Sequence, residues 1–311
     1  MNRLAYQSPE CPGLFFYQKT AIMTEEKKLN DRLRVAIQGG YGAFHEIAAR
    51  KYYKETNIEI IPCDTFIDLF ESVPLGKADS AVVAIENSVA GSLIPNYALL
   101  SRSEFKVTGE VYLRIVQNLI GLPGQKVKDI KEIHSHPMAI LQCQEFLEPL
   151  RHRGVKMVES IDTALSAKWI RDNDLKGVAA LASDLAADMY GLELIASSVE
   201  SNKRNFTRFL VVEPVKTPEE PDTNKSGNKA SICFTLPHHV GSLSQVLSVL
   251  AYYKINLSKI QSLPIVGREW EYFFYLDVLY DDYSMYKKAL SAIQPLIDQL
   301  EILGEYQSGE R

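Results

Sequence analysis

The chain has 311 residues, 39 acidic and 34 basic, for a formal net charge of −5, and 46% of its residues are hydrophobic. That length allows two domains with real cores, and an acidic balance without a long basic run argues against nucleic acid or an anionic membrane as main partner. Four cysteines (Cys11, Cys63, Cys143, Cys233) stand far apart with no CxxC pair, which argues against zinc or disulfide frameworks and fits reduced thiols.

Residues 1–33 show no periodicity and read as an N-terminal extension. "GLFFY" is too short for a signal-peptide core, and no stretch approaches the roughly 20 apolar residues of a membrane helix, so a cytoplasmic protein is expected. Residues 34–214 alternate strand-like runs ("RVAIQ", "IEIIPC", "SAVVAIE", "GVAALA", "RFLVV") with helical stretches, which predicts an α/β domain with a largely parallel sheet. The turn "QGGYGAFHE" gives GxG, but His45 takes the third glycine position and no acidic residue follows at the right distance, so the dinucleotide fingerprint fails. The turn instead suits an anion at a helix N-terminus, with His45 a helix-start residue.

In "AVVAIENSVAGSL" a buried strand ends in Glu86, Asn87 and Ser88, at the carboxyl end where open α/β sheets bind ligands. "HSHPMAILQCQEFLEPL" opens a helix with Ser135 as N-cap, and Gln142, seven residues on, falls on nearly the same face. "DTALSAKWI" and "ASDLAADMYGL" are helices capped by Asp162 and Ser183, with Gly191 as a stop. In "NKRNFTRFLVV" a strand starts beside Thr207 and Arg208, and a buried arginine needs a partner.

Residues 215–229, almost without apolar side chains, form a linker. Residues 230–311 read strand ("ASICFTL"), helix ("GSLSQVLSVLAYY"), strand ("NLSKIQSLPI"), strand ("WEYFFYLDVLY"), helix ("SMYKKALSAIQPLIDQL") and short strand ("EILGEY"). That order, βαββαβ, is the ferredoxin-like plan.

"ENSVAG", "SHPMAILQCQEFL" and "NFTRF" occur in this order and are followed by a ferredoxin-like unit carrying "GSLS" and "KIQSLPI". Over roughly residues 34–311 this set resembles prephenate dehydratases with a C-terminal ACT regulatory domain. The resemblance implies an α/β, bilobal type II periplasmic-binding-protein-like catalytic domain. It implies decarboxylative dehydration of prephenate to phenylpyruvate with no metal or organic cofactor, phenylalanine as allosteric effector, and a homodimer or homotetramer.

Carried over by position, Thr207 would donate a hydrogen bond to the leaving hydroxyl, with Asn87, Ser88 and Gln142 around it. Glu86, Ser135, Arg208 and Phe209 would bind substrate, Arg208 clamping a carboxylate with its planar fork. For Thr207 and Arg208 to share a pocket, 205–208 must form a turn and the regular strand must start at Phe209. The effector site falls on Gly241, Ser242 and Leu243 at a helix start and on Gln261 and Ser262 of the strand expected to face it. The family usually has Ser or Thr where Ala43 and His45 stand, and often Gln at Met138. Its "GALV" and "ESRP" appear as "GSLS" and "QSLP", so Gln261 replaces Glu and Leu263 replaces Arg. Two other readings use the same architecture. One is an arogenate dehydratase, with an amine in place of the keto group; the other is a non-catalytic amino-acid sensor, which would not need Thr207.

Overall fold

The computed structural model describes residues 32–54, 56–215, 227–265, 267 and 271–310. Most of the expected extension and most of the expected linker lie outside the described residues. β1 (Leu33–Gln38) leads through α1 (Phe44–Tyr53), β2 (Ile58–Cys63), α2 (Phe66–Ser72), β3 (Ser80–Asn87), the two-residue β4 (Gly91–Ser92) and α3 (Ile94–Leu100) to β5 (Phe105–Arg114). β1 runs parallel to β2 and β3. β3 is buried along its length except at Glu86, as a central strand covered on both faces requires.

The chain then crosses to a second lobe. This holds β6 (Asn118–Gly121), β7 (Glu132–Ser135), α4 (Pro137–Gln142), α5 (Gln144–His152), β8 (Lys156–Glu159), α6 (Thr163–Asp172), β9 (Val178–Ala182), α7 (Asp184–Tyr190) and β10 (Glu193–Ala196). Its sheet has the order β10-β6-β9-β7-β8. The expected caps form: Asp162 accepts from Leu165 N (2.8 Å), Ser183 from Ala186 N (3.0 Å), and Gly191 ends α7 in the left-handed region. Ser135 is not the cap of α4. It ends β7, and its hydroxyl donates to Leu181 O (2.7 Å), while His136 Nδ1 accepts from Met138 N (3.2 Å) in the cap position.

β11 (Phe206–Pro214) returns to the first lobe between β3 and β5, antiparallel to both, completing the order β2-β1-β3-β11-β5 with β4 on β3. The sheets are therefore mixed rather than largely parallel. Ile115 N donates to Asn205 O (2.8 Å) and Val199 N to Gln117 O (2.7 Å), pinning the two crossings together. Two lobes joined by paired crossings are the bilobal, periplasmic-binding-protein-like plan.

β12 (Lys229–Thr235), α8 (Ser242–Tyr252), β13 (Asn256–Pro264), β14 (Tyr272–Leu279), α9 (Tyr283–Ile293) and β15 (Gln299–Tyr306) follow, with sheet order β13-β14-β12-β15. That is the ferredoxin-like unit. Its second helix is shorter than expected, since a 3₁₀ turn at Gln294–Leu296, holding Pro295, ends it. One sheet face packs on α8 and α9 through Ile232, Val246, Leu276 and Tyr286. The other joins the first lobe, where Cys233, Leu263, Tyr275 and Tyr306 share a core with Tyr97, Val107 and Leu210.

Candidate active site

Between the lobes lies a cavity of about 390 Å³ lined by His45, Asn87, Thr207 and Phe209 from the first lobe and by Gln142 and Asp162 from the second. The size suits a small metabolite. β11 is already a strand at Phe206, so no turn occupies 205–208. Alternation sends Thr207 and Phe209 to the cleft and Arg208 the other way, and the pairing with β3 slips by one residue between Arg208 and Phe209.

The geometry around Thr207 is fully determined by its neighbours. Asn87 Oδ1 accepts from Val89 N (2.9 Å) and Ala90 N (2.8 Å). The amide is thereby oriented, and its Nδ2 donates to Thr207 Oγ1 (2.9 Å) and Asn205 Oδ1 (2.7 Å). A hydroxyl oxygen that already accepts keeps its own proton free to donate into the cleft.

His45 packs edge-on against Phe209, ring centroids 5.0 Å apart, and its Nε2 accepts from Ala84 N (3.4 Å). Burial pushes its pKa down to about 3, so the imidazole is neutral. Burial also raises the Asp162 carboxyl, against the pull of the N–H groups of Leu165 and Gly40. The glycine turn serves lobe contact. Gly39 has φ +96° and a Cβ there would come within 2.6 Å of Asp162 Oδ2; at Gly42, φ +86°, it would meet Ala186 Cα at 2.7 Å. α1 starts at Ala43 without a side-chain cap, leaving its first N–H groups for solvent or ligand.

Four expected site residues lie elsewhere. Arg208 is 4% exposed, and its guanidinium points away from the cleft: Nε donates to Glu110 Oε2 (2.6 Å), Nη1 to Asp277 and Nη2 to Tyr306 Oη (3.1 Å). Lys229 Nζ also reaches Glu110 (2.8 Å), so two cations and two anions form a buried cluster beneath the C-terminal sheet. Although burial opposes the guanidinium's charge, Asp277, Tyr306 and Glu110 hold it protonated. The carboxylate clamp expected of Arg208 is thus replaced by a structural role. Glu86 pairs with Lys259 Nζ (2.8 Å) of β13. Ser88 accepts from Phe206 N and donates to Arg204 O, both at 2.9 Å, stapling the entry to β11. Ser135 is fully buried in the second lobe.

In the C-terminal unit Gly241 (φ +87°) is the N-cap of α8, and a Cβ there would meet nothing within 4 Å. Ser242 Oγ donates to His239 O (3.1 Å), and Leu243 follows in the first turn of α8, half-buried. Gln261 Nε2 donates to Ser262 O (3.0 Å). These two are consecutive strand residues, so they face opposite ways and do not form one wall of a site. Leu263 turns toward the first lobe and is buried there.

Gln38, Gln117 and Thr163 also line the cavity, as does Asp162, read only as a cap. Thr163 and Asp162 follow β8, and the carboxyl ends of strands were the available signal for them. Gln117 sits on a crossing and carries no motif. Among the described residues no helix is long and apolar enough to cross a membrane, and no group of three or more His, Cys, Asp or Glu could hold a metal ion.

Residues 35–217 match the family model for prephenate dehydratase. "Arogenate dehydratase/prephenate dehydratase 2, chloroplastic" of Arabidopsis thaliana is 36% identical over 296 residues, 91% of this chain and 75% of that protein. The structure of a prephenate dehydratase from Arthrobacter aurescens in complex with L-Phe superposes with a TM-score of 0.76 at 28% identity, covering 88% of this chain and 90% of that one. GqqA, described as a novel type of quorum quenching acylase, gives a TM-score of 0.78 at 30% identity over 88% of this chain and 98% of its own.

Proposed function

The chain belongs to the prephenate dehydratase family, and from that premise we propose that its substrate is prephenate, converted to phenylpyruvate, water and carbon dioxide. The observation that carries this reading is the Asn87 amide held on Thr207 Oγ1 inside the cleft. In the reaction the ring carboxylate leaves as carbon dioxide, and its bonding electrons pass through the diene. The bond to the ring hydroxyl then breaks, and the ring becomes aromatic. Hydroxide is a poor leaving group, so the oxygen needs a proton or a strong donor as it departs. Thr207 supplies it, polarised by Asn87, and one proton taken up from solvent per turnover balances the water formed. A preorganised donor of this kind is typically worth about 10² to 10³ in rate.

Among the described residues lining the cavity none is a lysine or arginine. Substrate carboxylates are therefore held by N–H groups, with the uncapped start of α1 best placed. The same lack of cations favours a second reading, arogenate, whose ammonium offsets one carboxylate and would suit Asp162; the Arabidopsis relative is named for both substrates. Incubating the protein with each substrate and following phenylpyruvate and phenylalanine separately tests both readings. Product from neither would sink the dehydratase assignment.

The C-terminal unit we read as an ACT-type regulatory domain taking phenylalanine at the start of α8, Gly241 to Leu243. The L-Phe complex of the Arthrobacter relative supports this reading.

A further inference from the structure

Gln117 is 2% exposed and lines the cleft, yet among the described residues its Oε1 accepts no hydrogen bond. Among the described residues lining the cavity, no other has a buried side-chain oxygen or nitrogen in this condition. The position is not loose. Gln117 N donates to Glu200 Oε2 (3.1 Å) and Gln117 O accepts from Val199 N (2.7 Å). Both backbone groups are thus tied to the second crossing, two residues from the Ile115–Asn205 bond. A buried acceptor on so firm an anchor is a standing cost unless a ligand brings the donor.

The donor can be identified by counting. A ring hydroxyl has one hydrogen to give and lone pairs to receive. Thr207 fills a lone pair and leaves the hydrogen without an acceptor. Asn87 Oδ1 already takes two N–H groups. Gln117 lies on the first crossing two residues from Ile115, whose N–H is bonded to Asn205 O, and Asn87 donates to both Asn205 and Thr207.

We infer that Gln117 Oε1 accepts the hydrogen of the substrate's ring hydroxyl and so turns that oxygen's lone pair toward Thr207. This rests on the dehydratase reading and adds to it a contact with the leaving group. When the carbon–oxygen bond breaks, the oxygen keeps its own hydrogen on Gln117, gains the proton delivered through Thr207, and departs as water.

The test is steady-state kinetics on prephenate and on arogenate for the parent, Gln117→Leu and Gln117→Glu, with thermal unfolding to show that each is folded. Gln117→Leu should lose about tenfold or more in kcat on whichever substrates the parent turns over, with KM within about threefold. Gln117→Glu keeps an acceptor and should recover part of the loss. Should the Leu variant not fold, Gln117→Asn withdraws the carbonyl by one methylene and is expected to show the same kcat defect. Parental kcat in folded Gln117→Leu or Gln117→Asn overturns the contact. So does a loss confined to one substrate of the two, since the residue would then be reading the amine or keto end. A parent inactive on both substrates fails the dehydratase reading itself.

Discussion

Thr207 and Arg208 are chain neighbours whose side chains leave β11 on opposite faces, the hydroxyl toward the Asn87 amide in the cleft and the guanidinium between Glu110 and Asp277 under the C-terminal sheet. One peptide bond separates the group we propose does the chemistry from a group that holds the molecule together. Substitutions at the two positions should therefore fail in different ways.

Thr207→Val keeps the shape and removes the proton donor. Its kcat should fall about 10² or more with KM little changed, and Thr207→Ser should retain measurable activity. Parental turnover by Thr207→Val would remove the leaving-group role.

Asn87→Asp preserves an acceptor for Val89 N and Ala90 N but puts an oxygen where Nδ2 met Thr207. The threonine proton would then be drawn onto the carboxylate and away from substrate. A fall in kcat of about 10² is expected, with no further loss when Thr207→Val is added, because the two act as a unit. Additive losses in the double variant would show that Asn87 works on its own.

Arg208→Met should cost about 3 to 5 kcal/mol of stability, the scale for removing one partner of a buried ion pair. Urea unfolding measures it, and the KM of the folded enzyme should stay at the parental value. A raised KM with unchanged stability would restore the carboxylate clamp.

The cluster also sets an acid limit. Burial alone would raise the Asp277 carboxyl, but Arg208 outweighs it and the value in the folded chain lies below the ordinary 3.8. A depressed carboxyl contributes stability that is fully present above the unfolded value and lost as pH falls through the folded one. Asp277→Asn should therefore be much less stable than the parent at neutral pH, and the gap should narrow as pH drops below 3.8. A gap independent of pH would place the charge elsewhere.

Gly241→Val imposes a branched side chain on a residue at φ +87°, a region that only glycine enters freely. If phenylalanine binds there, inhibition should be lost while turnover without phenylalanine is kept. Turnover and heat of binding that are both flat across a phenylalanine titration of the parent would leave the C-terminal unit an assembly element.

Local signals carried most of the architecture into the sequence: the apolar run of β3, the caps Asp162 and Ser183, the stop at Gly191, the βαββαβ order. Thr207 was legible because it sits in a short ordered motif. Arg208 was legible only as a problem. Its partners Glu110 and Asp277 lie 98 and 69 residues away, and alternation along the strand already separated it from Thr207; the turn expected at 205–208 was the wrong resolution. Ser135 and His136 compete for one cap, and the end of β7 decided for His136. Leu263, taken from the resemblance to stand in place of an arginine, read as a regulatory change, and it is buried in the core shared with the first lobe. Gln117 had no sequence signal at all, because two distant crossings create its surroundings.

β11 lies between β3 and β5, and the residues that join β5 to it, 115–205, build the whole second lobe. A chain emerging from the ribosome therefore exposes β3 and β5 with no strand between them until the second lobe has been synthesised. Such unpaired edges are where nascent proteins associate wrongly. The last strand of the first sheet to be made is also the one that carries Thr207, so on the proposed mechanism activity should arrive with closure of that sheet and not before. Variants that delay that closure, such as those that weaken Ser88's staple at the entry to β11, should lower the yield of soluble protein more than the stability of what does fold.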